Sequence, residues 1–279
     1  MMRSILAGVV GAWMMLAGPQ TPGLISIYAD DPSLLTTGGA DDYRLTVDDM
    51  PVPIARVVPG PQPVSAIVLL DVSGSAGGLS IADAAKRVAN AARKGDSIRI
   101  ATFARKILIS ETRLFDDATA SKAAREVSQQ GGPSPLWDAL HASLTAVESD
   151  SGIRAVAIFT DGMATGNDKG FSEIEEVAAA SGVIVSAVGM GDNALRAGST
   201  MRAVGRNDAI RRLVEGTGGN YIELQRRTDT PLYPLAGIVD QMRKRYRLDF
   251  VPPVRDGAMH RISVTLGGRP VRAPARMRF

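Results

Sequence analysis

Five consecutive residues, Asp71-Val72-Ser73-Gly74-Ser75, place three short oxygen-bearing side chains at alternate positions directly after an apolar run. Alternation brings the three to one side of an extended chain, and Gly74 lets the backbone turn tightly where strand gives way to loop. A second apolar run ends in Thr160-Asp161-Gly162. Between the two lies a glycine-bearing loop, Gly131-Gly132-Pro133-Ser134-Pro135, which leads into a helix-like segment. Carboxylates and hydroxyls gathered in this way suit a hard divalent cation, which takes oxygen ligands at short distance. Each residue also has a plainer use. Asp71 and Asp161 fit turn positions whose side chains bond nearby amides. Ser134 before Pro135 has the form of a helix N-cap followed by proline at the first helical position.

The elements that must position these groups follow from hydrophobic patterning. Ala66 to Leu70, Val156 to Phe159 and Val183 to Val188 are continuous apolar runs, the pattern of strands buried on both faces. Ser97 to Phe103 alternates like a strand, with Lys106 to Ser110 as its hairpin partner, and Asn220 to Leu224 reads as one more strand. Segments with helical spacing lie between them, at 79–92, 118–129, 135–148, 171–181, 207–215 and 231–245. Strands alternating with helices predict an α/β fold, a mostly parallel central sheet covered by helices on both faces. Such a sheet binds ligands at the carboxyl ends of its strands, where Asp71 and Asp161 fall.

Here the sequence resembles a known family. The pattern is similar to the von Willebrand factor type A domain with its metal-ion-dependent adhesion site, over roughly residues 65–245. In that family the site is an Asp-x-Ser-x-Ser loop, a Thr from a second loop and an Asp from a third. By resemblance the metal ligands are Asp71, Ser73 and Ser75, then Ser134 where the family usually has Thr, then Asp161. Gly218-Gly219-Asn220-Tyr221 and Arg245-Tyr246-Arg247-Leu248-Asp249-Phe250 look like segments of a bacterial group of exported proteins related to this domain. The resemblance implies Mg2+, with Mn2+ or Ca2+ not separated by these ligands. In the family the two carboxylates act largely through water, so the resemblance implies that Asp71 and Asp161 under-neutralise such an ion and that a carboxylate from a partner completes it. The expected function is binding a protein that presents Asp or Glu. The alternative is a metal-independent structural or assembly module that uses the β-rich ends or the basic tail.

Catalysis finds little support. Ser73 is not in a Gly-x-Ser-x-Gly elbow. A phosphoryl-aspartate mechanism at Asp71 wants a carboxylate at position 73, which is Ser. There is no phosphate-binding Gly-x-x-x-x-Gly-Lys loop, and only His141 and His260 offer imidazoles. The chain is therefore read as a non-enzyme.

The rest of the 279 residues organise around this domain. Arg3 followed by an uncharged run, Ile5 to Gly18, ended by Pro19, reads as a signal peptide over residues 1–22, cleaved between Ala17 and Gly23. An uncleaved anchor is the alternative, and both imply an exported, periplasmic or secreted protein. Residues 24–60 read as a β-rich segment, Leu24 to Tyr28 and Tyr43 to Val47, followed by a proline-rich linker. Residues 246–279 alternate again, at Tyr246 to Val251 and Arg261 to Leu266, with a last short strand around Val271. These flanks predict a small β-sandwich built from both ends of the chain. Arginines are frequent from Arg243 onward, which reads chiefly as a solvated strand face protected from edge pairing. Contact with an anionic surface is the second reading of that tail. A net charge of +3 with isolated aromatics argues against a nucleic-acid partner. The absence of cysteine excludes disulfides, thiolate metal sites and a lipidated cysteine.

Overall fold

The computed structural model describes residues 23–29, 40–76, 79–148, 150–190, 207–224 and 233–279. The segment read as a signal peptide lies outside the described residues. The chain enters along β1 (Gly23–Ile27). After a short 3-10 turn come β2 (Tyr43–Val47), β3 (Met50–Val52) and β4 (Ile54–Val58). The α/β part begins with β5 (Val64–Asp71), α1 (Ile81–Ala91), β6 (Ser97–Phe103) and β7 (Ile107–Ile109). It continues through α2 (Asp117–Glu126), α3 (Leu136–Val147), β8 (Ile153–Thr160), α4 (Phe171–Ser181) and β9 (Ile184–Met190). It closes with α5 (Asp208–Gly216), β10 (Tyr221–Leu224) and α6 (Tyr233–Arg243). The tail adds β11 (Tyr246–Phe250), β12 (Met259–Leu266), β13 (Arg269–Pro270) and β14 (Arg276–Arg278).

The central sheet runs β10-β9-β8-β5-β6-β7, parallel except for β7. Every residue of β5 is buried, because β6 and β8 pair with its two edges and helices cover its two faces. Its alternate side chains serve two cores. Ala66, Val68 and Leu70 join the cluster under α1, α2 and α6, whereas Ile67 and Leu69 join the one under α3, α4 and α5. That is why an apolar run without alternation makes this strand. Chain order reverses beside β5, which pairs with β6 on one side and β8 on the other, so crossovers leave to opposite faces and a crevice opens at the carboxyl ends. Local capping fixes the flanking helices. Ser80 Oγ accepts from Asp83 N at the start of α1, and Asp116 with Thr119 forms a capping box on α2.

Both ends of the chain build an antiparallel sandwich. One sheet is β1-β11-β4 and the other β13-β12-β2-β3, with β14 also paired to β12. Inward residues of the two, including Ile25, Ile27, Leu45, Ile262, Val264 and Phe250, form one core. The proline-rich stretch departs from the linker expectation, since β3 and β4 run through it as far as Val58. Pro51 sits on β3, the edge strand of its sheet, where a missing N–H costs no ladder bond. Near Val271 the strand expected there ends at Pro270, and Arg272 bridges to Tyr28 instead.

The sandwich docks at the amino edge of the central sheet. Gln62 N donates to Arg243 O, Ile153 N to Pro63 O, and Ala275 N to Gly216 O. This contact corrects the reading of the arginine-rich tail as one solvated or anion-binding face. Arg243 and Arg245 are only 3% and 4% exposed. Arg243 pairs with Asp96 and Asp240, and Arg245 donates to Ser26 Oγ and Ser26 O. Burial, with Arg272 beside it, pulls the Arg245 guanidinium down to about 9. Arg247, Arg261, Arg276 and Arg278 each pair with a carboxylate. No helix among the described residues is long and apolar enough to cross a membrane.

Candidate metal site

Asp71 is the last residue of β5 and is fully buried. Its Oδ1 accepts from Ser73 N at 3.1 Å, as the chain turns. Its Oδ2 accepts from Thr160 Oγ1 at 2.7 Å and from Ser134 Oγ at 3.3 Å. One carboxylate thus collects three donors from the ends of β5 and β8 and the loop before α3. Ser73 Oγ and Ser75 Oγ lie 3.2 Å apart, so alternation has brought both hydroxyls to one side. Ser73 is buried and Ser75 exposed, which makes the set a shallow cup open to solvent. Asp161 follows β8, half-buried, with Oδ1 accepting from Met163 N.

The loops are held against one another. Gly74 N donates to Gly132 O and Gly131 N to Val72 O, joining the first loop to the second. Gly131 and Gly132 have φ of +72° and +113°, a conformation that suits glycine. The second and third loops are joined by Ser134 N to Thr165 Oγ1 and Thr165 N to Ser134 O. Asn167 Oδ1 accepts from Trp137 N, and Asp138 accepts from the amides of Asp168 and Lys169. The Ser134 hydroxyl does not cap α3. The N-cap position is Pro135, and the hydroxyl faces Asp71 instead.

Electrostatically the cup is unbalanced. Burial pushes the Asp71 carboxyl above its ordinary value; hydrogen bonds from Ser73 and Thr160 pull it back in part, and the charge of Asp161 pushes it further up. Among the described residues neither Asp71 nor Asp161 is in an ion pair. No group of three or more His, Cys, Asp or Glu gathers among them either, so any cation here must rely on hydroxyls as well as carboxylates. Two like charges near each other, no cationic partner and a ring of neutral oxygen donors fit a hard divalent ion.

No family model matches the chain, and no curated protein matches it. Solved structures do. A von Willebrand factor type A protein from Catenulispora acidiphila aligns over 90% of this chain and 73% of its own, at 11% identity and a TM-score of 0.50. The α/β domain has the von Willebrand factor type A fold. The protein BatB from Bacteroides thetaiotaomicron aligns over 64% of this chain and 98% of its own, at 17% identity and a TM-score of 0.46. Proximal thread matrix protein 1 of the mussel byssus, described with a zinc-occupied MIDAS motif, aligns over 69% of this chain and 48% of its own, at 15% identity and 0.48.

Within this von Willebrand factor A fold, the hydrogen bonds bring Asp71, Ser73, Ser75 and Ser134 into one network, with Asp161 in charge range. Sequence reasoning did not single out Thr160. Its hydroxyl makes the shortest bond to Asp71 and also accepts from Gly162 N. The signal was present, since Thr160 opens the Thr-Asp-Gly triplet at the strand end. His141 lies half-buried on α3, and His260 belongs to the sandwich, so neither stands in this network.

Proposed function

We propose that the chain is an exported protein-binding module whose affinity for its partner depends on a divalent cation, Mg2+ in the first instance. One observation carries this reading. Asp71 and Asp161 converge at the switch point of the sheet among serine and threonine hydroxyls, and neither is in an ion pair among the described residues. Asp71, Ser73, Ser75, Ser134 and Asp161 would hold the ion, and Thr160 would fix the Asp71 carboxylate through its hydrogen bond. A bound metal supplies an electrophilic centre that takes an oxygen ligand from outside the protein. With hydroxyls as the direct ligands and the two carboxylates acting largely through water, the ion would keep excess charge and an open position, which favours an Asp or Glu of a partner protein as that ligand. Export rests on the leader-like residues 1–22.

Calorimetric titration of Mg2+ and Mn2+ into chelator-stripped protein tests this reading. Saturable binding of about one ion per chain, lost in Asp71→Ala, is the expected result. A folded wild type that binds neither ion removes the metal from the proposal.

A further inference from the structure

The turn between β6 and β7 brings a second group to the rim of the cup. Ala104 N donates to Lys106 O, which tightens the turn. Gln129 then pins it, accepting from Lys106 N and donating to Lys106 O and to Thr102 Oγ1. Gln129 is two residues ahead of the glycine pair in the second loop, so the turn and that loop are tied together. Arg105 lies at the tip, exposed, with its stem against Gly132. A β-carbon at Gly132 would sit 2.5 Å from Arg105 Cγ and 3.3 Å from its Nε, so only glycine leaves room for the arginine there. The carbonyl of the same Gly132 accepts from Gly74 N of the first loop. Among the described residues Arg105 is in no hydrogen bond or ion pair, in contrast to the paired arginines of the tail.

A guanidinium laid along the proposed metal loop, unpaired and open to solvent, contributes nothing to holding the ion. It is placed to meet an anion that arrives with the partner. We infer that Arg105 is a second anchor, so that the partner segment presents two acidic side chains a few residues apart. One carboxylate completes the metal and the other meets the Arg105 fork. This inference rests on the metal reading above and adds the partner's chemistry to it. The planar guanidinium matches a carboxylate with two parallel N–H donors. Contact of the stem with Gly132 reduces the freedom that binding would otherwise remove.

The test uses the Mn2+-loaded protein and acetylated, amidated glycine peptides that carry either one Asp or two Asp separated by one to three glycines. Fluorescence anisotropy with a labelled peptide and unlabelled competitors gives the affinities. Two-acid peptides of one preferred spacing are expected to bind about five- to tenfold more tightly than one-acid peptides. Arg105→Gln should erase that ratio while leaving the Mn2+ titration and the one-acid affinity in place, and Arg105→Lys should restore part of it. A ratio that persists in Arg105→Gln, or Mn2+ binding by the wild type without preference for two acids, overturns the second anchor alone. A wild type that binds no Mn2+ overturns the metal reading and this inference with it.

Discussion

Asp71 and Asp96 are both buried carboxylates, 0% and 6% exposed, at opposite edges of one sheet. At the amino edge Asp96 accepts from Val64 N and Arg93 N and meets Arg243 at 2.5 Å. Its charge is neutralised inside the fold. At the carboxyl edge Asp71 is equally buried and also takes three hydrogen bonds, but every donor is neutral and Asp161 adds a like charge. The same residue type in the same degree of burial therefore sits in two electrostatic settings. One carboxylate ties the end of α6 to the start of β5 within the α/β domain, and the other has no cationic partner among the described residues.

The largest effect should come from breaking the balanced edge. Arg243→Met leaves Asp96 buried without its partner and should cost about 3–5 kcal/mol, measured by urea unfolding. Arg243→Met combined with Asp96→Leu should recover most of that loss, because replacing both partners removes the stranded charge. Neither variant should alter the metal affinity of the folded protein.

At the unbalanced edge the sign should reverse. Metal-free Asp71→Asn should be at least as stable as wild type, since it removes a buried charge that lacks a partner. With Mg2+ at one hundred times its dissociation constant the wild type should gain about 2.7 kcal/mol, and the variant nothing. The pH dependence follows from the raised Asp71 pKa. Its ionised form is disfavoured in the fold, so metal-free wild type should lose stability relative to Asp71→Asn as pH rises above about 4. Thermal unfolding with and without chelator reads both effects, and a metal-free Asp71→Asn clearly less stable than wild type would remove the contrast.

A third charged cluster, in the sandwich, tests whether neutralisation within the fold also works near the surface. His260 Nδ1 faces Asp48 Oδ2 at 2.7 Å and Nε2 faces Asp256 Oδ1 at 3.0 Å, with the ring stacked on Phe279. Hydrogen bonds to Asp48 and then Asp256 raise the His260 pKa, and hydrogen bonding to His260 lowers both carboxyls. The imidazolium contribution is full below about pH 6.5 and is lost as pH rises through the raised value. The carboxylate contributions are present above about pH 4 and are lost as pH falls through the lowered values. The wild type should therefore exceed His260→Gln most between those limits, with the gap closing above neutrality in melting curves. A gap independent of pH would make the ring a packing element only.

The smallest change should be Ser134→Thr. It keeps the hydroxyl that donates to Asp71 and narrows its rotamers. Metal affinity should stay within about threefold of wild type, whereas Ser134→Ala should weaken it more. Equal affinities in the two variants would show that this hydroxyl contributes nothing to the ion.

Much of this was legible from residues alone. The apolar runs around Leu70 and Phe159 marked two central strands, and the polar residues after them lie at the sheet end that carries the candidate site. Helices at 136–147 and 171–181 appeared within a residue of their expected bounds. The proline stretch misled, because proline on an edge strand and proline in a linker look alike until the pairing of β2 with β3 is known. Ser134 before Pro135 also pointed two ways, to a helix cap and to the metal cup. The tail arginines read as a surface feature because charge density carries no information about burial.

By itself the sequence determined the α/β pattern, the sandwich strands β1, β2, β11 and β12 and the order of the three polar loops, since these depend on periodicity and on residues close in the chain. Only the tertiary structure decided which charges are balanced. Arg243 reaches Asp96 across 147 residues, and Thr160 reaches Asp71 across 89. Whether a buried carboxylate finds a guanidinium or a hydroxyl depends on what packing brings to it from elsewhere. That choice separates a structural ion pair from the cup proposed to hold a metal.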